Sequence, residues 1–192
     1  MRLFLAIHLT DAAIDHLRKV QAMVRPIVPD ANFTRDVNLH VTLRFLGETP
    51  ADRLDRVRDA VRAVCDGGAL ALQATQMVFF PPAGGARVVG ARVGGGSVDQ
   101  LLLLQSAIER AVRGLGFPAE DHRYVPHITL ARTARAPLPP PVVSRITTAT
   151  ARHWPGPVTT ARSVVLMESE LSQAGPRYRS VTEFSLFGEN SV

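Results

Sequence analysis

The sequence contains almost no cysteine and no apolar segment long enough to span a membrane. Cys65 is the only cysteine, so no disulfide can form within the chain, which indicates a reducing compartment. A membrane span needs about 20 consecutive apolar residues. The apolar start, residues 1–6, is too short for a signal peptide and lacks a small-residue cleavage site. We therefore expect a cytoplasmic protein without a membrane partner.

Lysine is equally scarce, because Lys19 is the only lysine among 22 Lys and Arg residues. The formal net charge is +5, and arginine forks match the oxygens of phosphate groups, so this charge suits a polyanionic partner. A genome biased toward arginine produces the same composition, and charge alone does not decide the matter. The histidines and the single cysteine have no compact metal-ligand spacing, so the sequence predicts neither a metal site nor another cofactor.

The remaining composition is that of an ordinary globular protein, with 46% hydrophobic and 20% charged residues. Its 192 residues suit one domain, or two small lobes that share a core. Strand-like and helix-like segments are mixed along the chain, and several strand pairs have hairpin-length turns. This pattern indicates an α+β protein with an antiparallel sheet.

Hydrophobic periodicity and turn residues give the expected element boundaries. Gly175 and Pro176 are predicted to form the turn between the last two strands. The predicted strands cover residues 2–9, 39–46, 70–80, 87–93, 125–133, 158–167 and 178–187, and the predicted helices cover residues 11–24, a segment from residue 50, residues 97–112 and a short segment that ends at residue 150.

Two segments repeat the pattern His-apolar-Thr-Leu, one from His40 to Leu43 and the other from His127 to Leu130. Chance gives roughly 0.04 such matches in a chain of this composition, and two of them about one time in a thousand. The histidines are 87 residues apart (127 − 40), as expected for a duplicated lobe. A third His-x-Thr match, at His8, lacks the following leucine, and we interpret it as background.

Strand geometry gives the repeated pattern a chemical meaning. Side chains alternate between the faces of a strand, so His40 shares a face with Thr42, and His127 shares a face with Thr129. Imidazole can accept or donate a proton near neutral pH, and hydroxyls can donate hydrogen bonds to the charged oxygens of a phosphorane-like transition state. The four residues are therefore candidate catalytic groups for phosphodiester cleavage that requires no metal.

The sequence resembles the 2H phosphoesterases, and among them the bacterial and archaeal RNA 2′,3′-cyclic phosphodiesterases, also called 2′-5′ RNA ligases. The two His-apolar-Thr-Leu segments, here called the two tetrads, are the defining motif of that family. The resemblance covers nearly the whole chain and is carried by residues 1–7, 38–48, 125–132 and 168–172, together with Gly175 and Tyr178.

This resemblance implies one bilobed, duplicated α+β domain over residues 1–192, in which antiparallel sheets line a central cleft and helices lie outside. It implies hydrolysis of a terminal 2′,3′-cyclic phosphate of RNA to a 2′-phosphomonoester, with a reverse 2′-5′ ligation that needs no ATP. It assigns His40 as proton donor and His127 as acceptor. The expected partners are RNA ends that carry a cyclic phosphate, such as those of tRNA fragments. The protein itself is expected to be a monomer.

Four further residues are candidates for substrate binding. Arg44 lies two positions beyond Thr42 and shares its face if the strand is regular, whereas Arg132 serves the site only if its strand bends or ends there. The aromatic residues Phe33 and Tyr124 precede the two motifs and are candidates for stacking on a base, although packing is a common role for such residues.

The sequence is also compatible with two other functions. One is a cyclic phosphodiesterase for a small nucleotide, such as ADP-ribose cyclic phosphate or 2′-5′ oligoadenylate, which a closed pocket would favour. The other is a non-catalytic RNA-binding module. The intact tetrads argue against the module, because RNA binding alone does not require two imidazoles.

Overall fold

A computed structural model describes residues 1–82, 85–133, 136–172 and 175–187 of the chain. Strands and helices are mixed, as the sequence predicts. The strands are β1 (Arg2–His8), β2 (Ala31–Phe33), β3 (His40–Glu48), β4 (Leu70–Phe80), β5 (Val88–Gly94), β6 (His127–Thr133), β7 (Thr159–Ala161), β8 (Ser163–Ser172) and β9 (Gly175–Ser185), and the α-helices are α1 (Asp11–Val24), α2 (Leu54–Arg62), α3 (Val98–Gly114) and α4 (Pro140–Thr150).

The strands form a curled antiparallel sheet with the order β7-β4-β5-β6-β3-β1-β8-β9 in the described chain, and β2 pairs with β6 outside this path. Strands β3 and β6, which carry the two His-x-Thr-Leu motifs, are neighbours at the middle of the sheet. Val41 of β3 pairs with Ile128 of β6, and each of these residues directly follows its motif histidine. The two halves of the sheet therefore meet at equivalent points of the repeated motif, and the expected duplicated α+β fold is confirmed.

The large hydrophobic core lies on the side of the sheet that the helices cover. It joins strand residues such as Leu5, Val41 and Ile128 to apolar residues of all four helices, among them Leu17, Val61, Leu101, Leu104, Ile108 and Ile146. The opposite face carries a smaller cluster of Phe4, Ala6, Val165 and Met167, against which Tyr178 packs. Because the helices occupy one face, the motif side chains on the other face are left open to a cleft.

The end of the chain departs from the predicted elements. Residues 158–167, predicted as one strand, contain the whole of β7 and the first half of β8. The predicted turn at Gly175 and Pro176 is wrong, because these residues pair with Ser172 and Leu171 at the start of β9. Proline is tolerated there because β9 is at the edge of the sheet. The prediction also missed β2.

Both motif strands contain an irregularity at the same place. Along β3 the register with β1 passes from Thr42 to Arg44 and leaves out Leu43. Along β6 the register with β5 passes from Thr129 to Ala131 and leaves out Leu130. Each omitted leucine lies three residues after the motif histidine. A bulge reverses the alternation of side chains beyond it, so the residue five positions after each histidine returns to the cleft face.

Candidate active site

The four motif side chains occupy one face of the two central strands. Val41 and Ile128, which lie between them, are 0% and 2% exposed in the core, so the histidines and threonines on either side point into the cleft. Because the strands are antiparallel about this pair, His40 lies on the side of Thr129, and Thr42 on the side of His127. The structure therefore brings together all four residues that the sequence predicted as catalytic.

Each imidazole is held by the backbone two residues before it. His40 Nδ1 lies 2.8 Å from the carbonyl oxygen of Asn38, and His127 Nδ1 lies 2.7 Å from that of Val125. A carbonyl oxygen only accepts, so each Nδ1 carries the proton and donates it. In the neutral ring Nε2 then has a free lone pair. His40 Nε2 lies 2.9 Å from Thr42 Oγ1, which donates to the neutral ring.

Aromatic rings support both imidazoles. The ring centroid of His40 lies 5.1 Å from that of Phe4 and 5.4 Å from that of Tyr178, with Tyr178 edge-on. The ring of Phe80 lies 4.6 Å from His127 in a tilted arrangement. Together with the carbonyl bonds, this packing limits rotation of the rings. The orientation of both Nε2 atoms is thus set before any ligand binds.

Burial makes both imidazoles poor bases in the free protein. Burial, with smaller contributions from the nearby charges of His8 and His127, lowers the pKa of His40 to about 4. Burial is also the main cause of the lowered pKa of His127, to which the Arg132 guanidinium adds. Loss of hydration disfavours the imidazolium form. At neutral pH both rings are therefore neutral until an anion enters the cleft and favours a proton on one of them.

Two adjoining cavities form the cleft. The His40 cavity has a volume of about 750 Å³, and its walls include Asn32, Arg35 and Thr129 as well as His40. The His127 cavity has a volume of about 760 Å³, and its walls include Phe80, Pro82 and His127. Three residues line both cavities and mark the boundary between them, namely Thr42, Phe45 and Arg132. The two histidines thus face different cavities across a shared centre.

The strand that carries Arg132 is irregular, which is the condition under which we expected Arg132 to reach the site. The bulge at Leu130 returns Arg132 to the face of His127, so it lines both cavities and is exposed. Phe45 occupies the equivalent position in β3 and is 54% exposed. Sequence reasoning missed Phe45, because its place on the cleft face depends on the bulge.

The expected place of Arg44 on the catalytic face is wrong. The bulge at Leu43 turns Arg44 inward, where it is only 5% exposed. Its guanidinium donates to Glu109, to Glu120 at 2.8 Å, and to two carbonyl oxygens, those of Phe45 and Pro118. Protein acceptors thus engage all its nitrogens, and Arg44 ties β3 to α3 and to the segment before the second motif. Arg44 is nevertheless among the residues that line the His127 cavity, so its contact with substrate stays a prediction.

The two candidate aromatic residues lie in different environments. Phe33 is on β2 in the wall of the His40 cavity, with the Arg25 guanidinium 4.2 Å above its ring centroid. Tyr124 lines the His127 cavity, but its hydroxyl donates to the Thr42 carbonyl oxygen at 3.0 Å. This bond anchors the segment that carries the Val125 carbonyl, so the geometry of Tyr124 suits positioning. Base stacking by Phe33 or Tyr124 stays a prediction.

Other residues at the site gave weaker sequence signals. His8 pairs directly with His40 in the β1–β3 ladder, so the match interpreted as background lies beside the site. Asn38 acts through its carbonyl oxygen, and its amide donates to the Pro176 carbonyl oxygen at 2.9 Å. Any residue type can supply a main-chain carbonyl, so the sequence could not identify Asn38 as part of the site. The alternation of β1 could have placed Phe4 on the cleft face with His8.

Within the described residues, no group of three or more His, Cys, Asp or Glu side chains could hold a metal ion. No helix in that part of the chain is both long and apolar enough to cross a membrane.

The fold and the paired histidines define a 2H phosphoesterase architecture, which comparison with known proteins supports. The family model described as "2'-5' RNA ligase superfamily" matches residues 9–173. The chain is 35% identical over 211 residues to an RNA 2′,3′-cyclic phosphodiesterase of Thermus thermophilus, covering 99% of this chain and 92% of the relative. A protein of the same name from Methanothermobacter thermautotrophicus is 27% identical over 187 residues, covering 97% and 99%.

Solved structures give the same result. The crystal structure of TT0787 of Thermus thermophilus superposes with a TM-score of 0.80 at 29% identity, covering 99% of this chain and all of that one. Apo LigT of E. coli superposes with a TM-score of 0.74 at 21% identity, covering 96% of each chain, which supports the fold alone. The chain belongs to the 2′-5′ RNA ligase superfamily, and the family and enzyme class predicted from the two tetrads are confirmed.

Proposed function

We propose that this protein hydrolyses the 2′,3′-cyclic phosphate at an RNA end to a 2′-phosphomonoester, using His40 and His127 as an acid/base pair. The observation that carries the proposal is the duplicated histidine geometry at the centre of the cleft. Each Nδ1 is bound to a carbonyl oxygen, and each ring is oriented by aromatic contacts. The relatives named RNA 2′,3′-cyclic phosphodiesterase support this choice of reaction.

The chemistry requires two proton transfers. Neutral His127 takes a proton from water as the water oxygen attacks phosphorus, while protonated His40 gives a proton to the departing O3′. The P–O bond to water forms and the P–O3′ bond breaks, so the phosphate stays on O2′. Thr42, Thr129 and Arg132 line the cleft and would donate hydrogen bonds to the equatorial oxygens, where charge accumulates. A 5′-hydroxyl that attacks phosphorus in place of water, with O3′ again leaving, would join two RNA ends through a 2′-5′ phosphodiester.

The dimensions of the cleft favour RNA over a small nucleotide. Its two cavities have volumes of about 750 and 760 Å³ and meet at Thr42, Phe45 and Arg132, which line both of them. Exposed Arg25 and Arg35 extend the His40 cavity away from the tetrads. A ligand confined to one nucleotide would leave this basic extension unused, whereas a strand continuing from the site can contact it.

Product analysis tests the reaction. A short RNA that ends in a 2′,3′-cyclic phosphate should yield a 2′-phosphate, resolved by chromatography against 2′- and 3′-phosphate standards. The same rate is expected in EDTA, because the proposed acid and base are side chains. A 3′-phosphate product would reverse the roles of the two ester oxygens. Activity lost in EDTA and restored by a divalent ion would refute the metal-independent mechanism, and binding without turnover would indicate an RNA-binding module.

The lowered pKa values predict different pH dependences for kcat/KM and kcat. The profile of kcat/KM reflects the free enzyme and that of kcat the bound complex. Since burial lowers the pKa of both histidines, the bell-shaped profile of kcat/KM should peak below pH 6.5. Bound phosphodiester stabilises an imidazolium and raises its pKa, so the optimum for kcat should lie at higher pH. Steady-state rates between pH 4.5 and 9, with folding checked by circular dichroism, measure both profiles. Coincident optima above pH 7.5 would contradict this account.

A further inference from the structure

The two cavities of the cleft differ in the chemistry of their walls. Beyond the shared boundary, the His127 cavity has an apolar wall formed by Phe80, Pro81, Pro82 and Val88, and Arg87 and Arg123 also line this cavity. The His40 cavity presents amide, hydroxyl and guanidinium groups, with Asn32, Thr34 and Arg35 among its lining residues, and Arg25 at its edge. The apolar wall of the His127 cavity suits an apolar, planar end of a ligand, and the amide, hydroxyl and guanidinium groups of the His40 cavity suit an anionic end.

The terminal nucleotide of an RNA is such a ligand. Around its ribose the order is the base on C1′, the oxygens O2′ and O3′ on the next two carbons, and the 5′ phosphodiester beyond C4′. A cyclic phosphate held between two histidines therefore directs the base to one side and the preceding strand to the other. O2′ lies on the side of the base, and O3′ lies on the side of the strand.

We propose that the cleft fixes the polarity of the RNA, with the terminal base in the His127 cavity and the preceding phosphodiester in the His40 cavity, bound by Arg25 and Arg35. Both arginines are exposed, and neither forms an ion pair among the described residues. Arg35 donates one hydrogen bond, to the Pro176 carbonyl oxygen at 3.5 Å, at the exposed edge of the cavity. The Arg25 guanidinium lies over the Phe33 ring, which holds it at the cavity wall. This inference rests on the proposed function and adds the direction in which the substrate lies.

The polarity has a consequence for the chemistry. With the strand on the His40 side, O3′ is the ester oxygen nearer to His40 and O2′ is the one nearer to the base. His40 then protonates O3′ as the P–O3′ bond breaks, and His127 accepts the water proton. Strand polarity, the acid/base assignment and the 2′-phosphate product thus follow from one orientation. The reversed orientation would place O2′ next to His40.

The opposite polarity has its own candidate residues, which supply a matched control. Arg87 and Arg123 are exposed and line the His127 cavity. A strand running the other way would contact them instead of Arg25 and Arg35. Replacing either pair by glutamine removes two positive charges from the +5 total, so a general loss of attraction for RNA affects both variants equally.

The test compares two substrates, a nucleoside 2′,3′-cyclic phosphate and a dinucleotide ending in the same cyclic phosphate. The wild type should prefer the dinucleotide in kcat/KM. In Arg25→Gln/Arg35→Gln the ratio of the two kcat/KM values should fall about tenfold, which corresponds to about 1.4 kcal/mol and is within the range for loss of two exposed ion pairs. In Arg87→Gln/Arg123→Gln the ratio should stay within about twofold of the wild type. A dinucleotide lacking its terminal base should be a poorer substrate than the intact one.

Each contrary result has a distinct meaning. A ratio that falls only in Arg87→Gln/Arg123→Gln would show the reversed polarity and overturn the proposal. So would a wild-type ratio near one, or equal effects of both double substitutions. Failure of the wild type to hydrolyse either substrate would instead refute the proposed function itself. Hydrolysis of the cyclic mononucleotide thus distinguishes a wrong strand polarity from a wrong proposed function.

Discussion

His40→Ala and His127→Ala should each lower kcat by about 10²–10⁴-fold, the range for loss of a general acid or base. Each ring is proposed to move a different proton, so neither can replace the other. The double variant should be far less active than wild type but much less impaired than the product of the two effects, since the pair acts as a unit. The rate of cyclic phosphate hydrolysis measures all three variants, with circular dichroism to confirm folding.

The control for this experiment must lie outside the cleft. His8 is unsuitable because it pairs with His40 and its charge lowers the pKa of that ring. His153 is exposed in a turn after α4 and lines neither cavity of the cleft. His153→Ala should therefore retain near-normal turnover. A folded His40→Ala or His127→Ala protein that hydrolyses at a near-normal rate would rule out the proposed acid/base pair.

The sequence could predict the centre of the site because that part depends only on local rules. Alternation along a strand places His40 with Thr42 and His127 with Thr129, and burial of Val41 and Ile128 confirms it. The repeated motif also predicts a duplicated fold. The pairing of β3 with β6 at equivalent residues depends on the tertiary fold. No local sequence pattern specifies this pairing.

The positions beyond Thr42 and Thr129 could not be predicted, because a bulge depends on the partner strand. A regular β3 would place Arg44 in the cleft, and a regular β6 would place Arg132 on the other face. The bulges at Leu43 and Leu130 reverse both assignments. The same limit applies to the end of the chain, where Gly175 and Pro176 suggest a turn but pair within the edge hairpin.

The bulges also bring two different side chains to equivalent positions of the cleft. The fifth residue after each histidine faces the boundary of the two cavities, and it is Phe45 in one half and Arg132 in the other. The duplicated fold thus presents an apolar ring from one half and a cation from the other at the boundary of the two cavities.

Thr42→Val and Thr129→Val should lower turnover by up to about 10²–10³-fold, by analogy with loss of an oxyanion donor. Valine keeps the shape of threonine and suits a strand, so the variants should remain folded with little change in thermal midpoint. Thr42 should show the additional effect of a changed pH optimum, because its hydroxyl lies 2.9 Å from His40 Nε2. The measurements are kcat, KM and their pH profiles, together with thermal unfolding.

The contrast with a structural role is sharp for these two threonines. If they serve only β-propensity, valine is harmless to turnover or slightly stabilising. Thr160, exposed on β7 and outside the cleft walls, supplies the matched strand position. Thr160→Val should leave kcat unchanged, whereas both cleft variants lose turnover at similar stability. Unchanged kcat in Thr42→Val and Thr129→Val would assign transition-state stabilisation to other donors, of which Arg132 is the one that lines both cavities beside them.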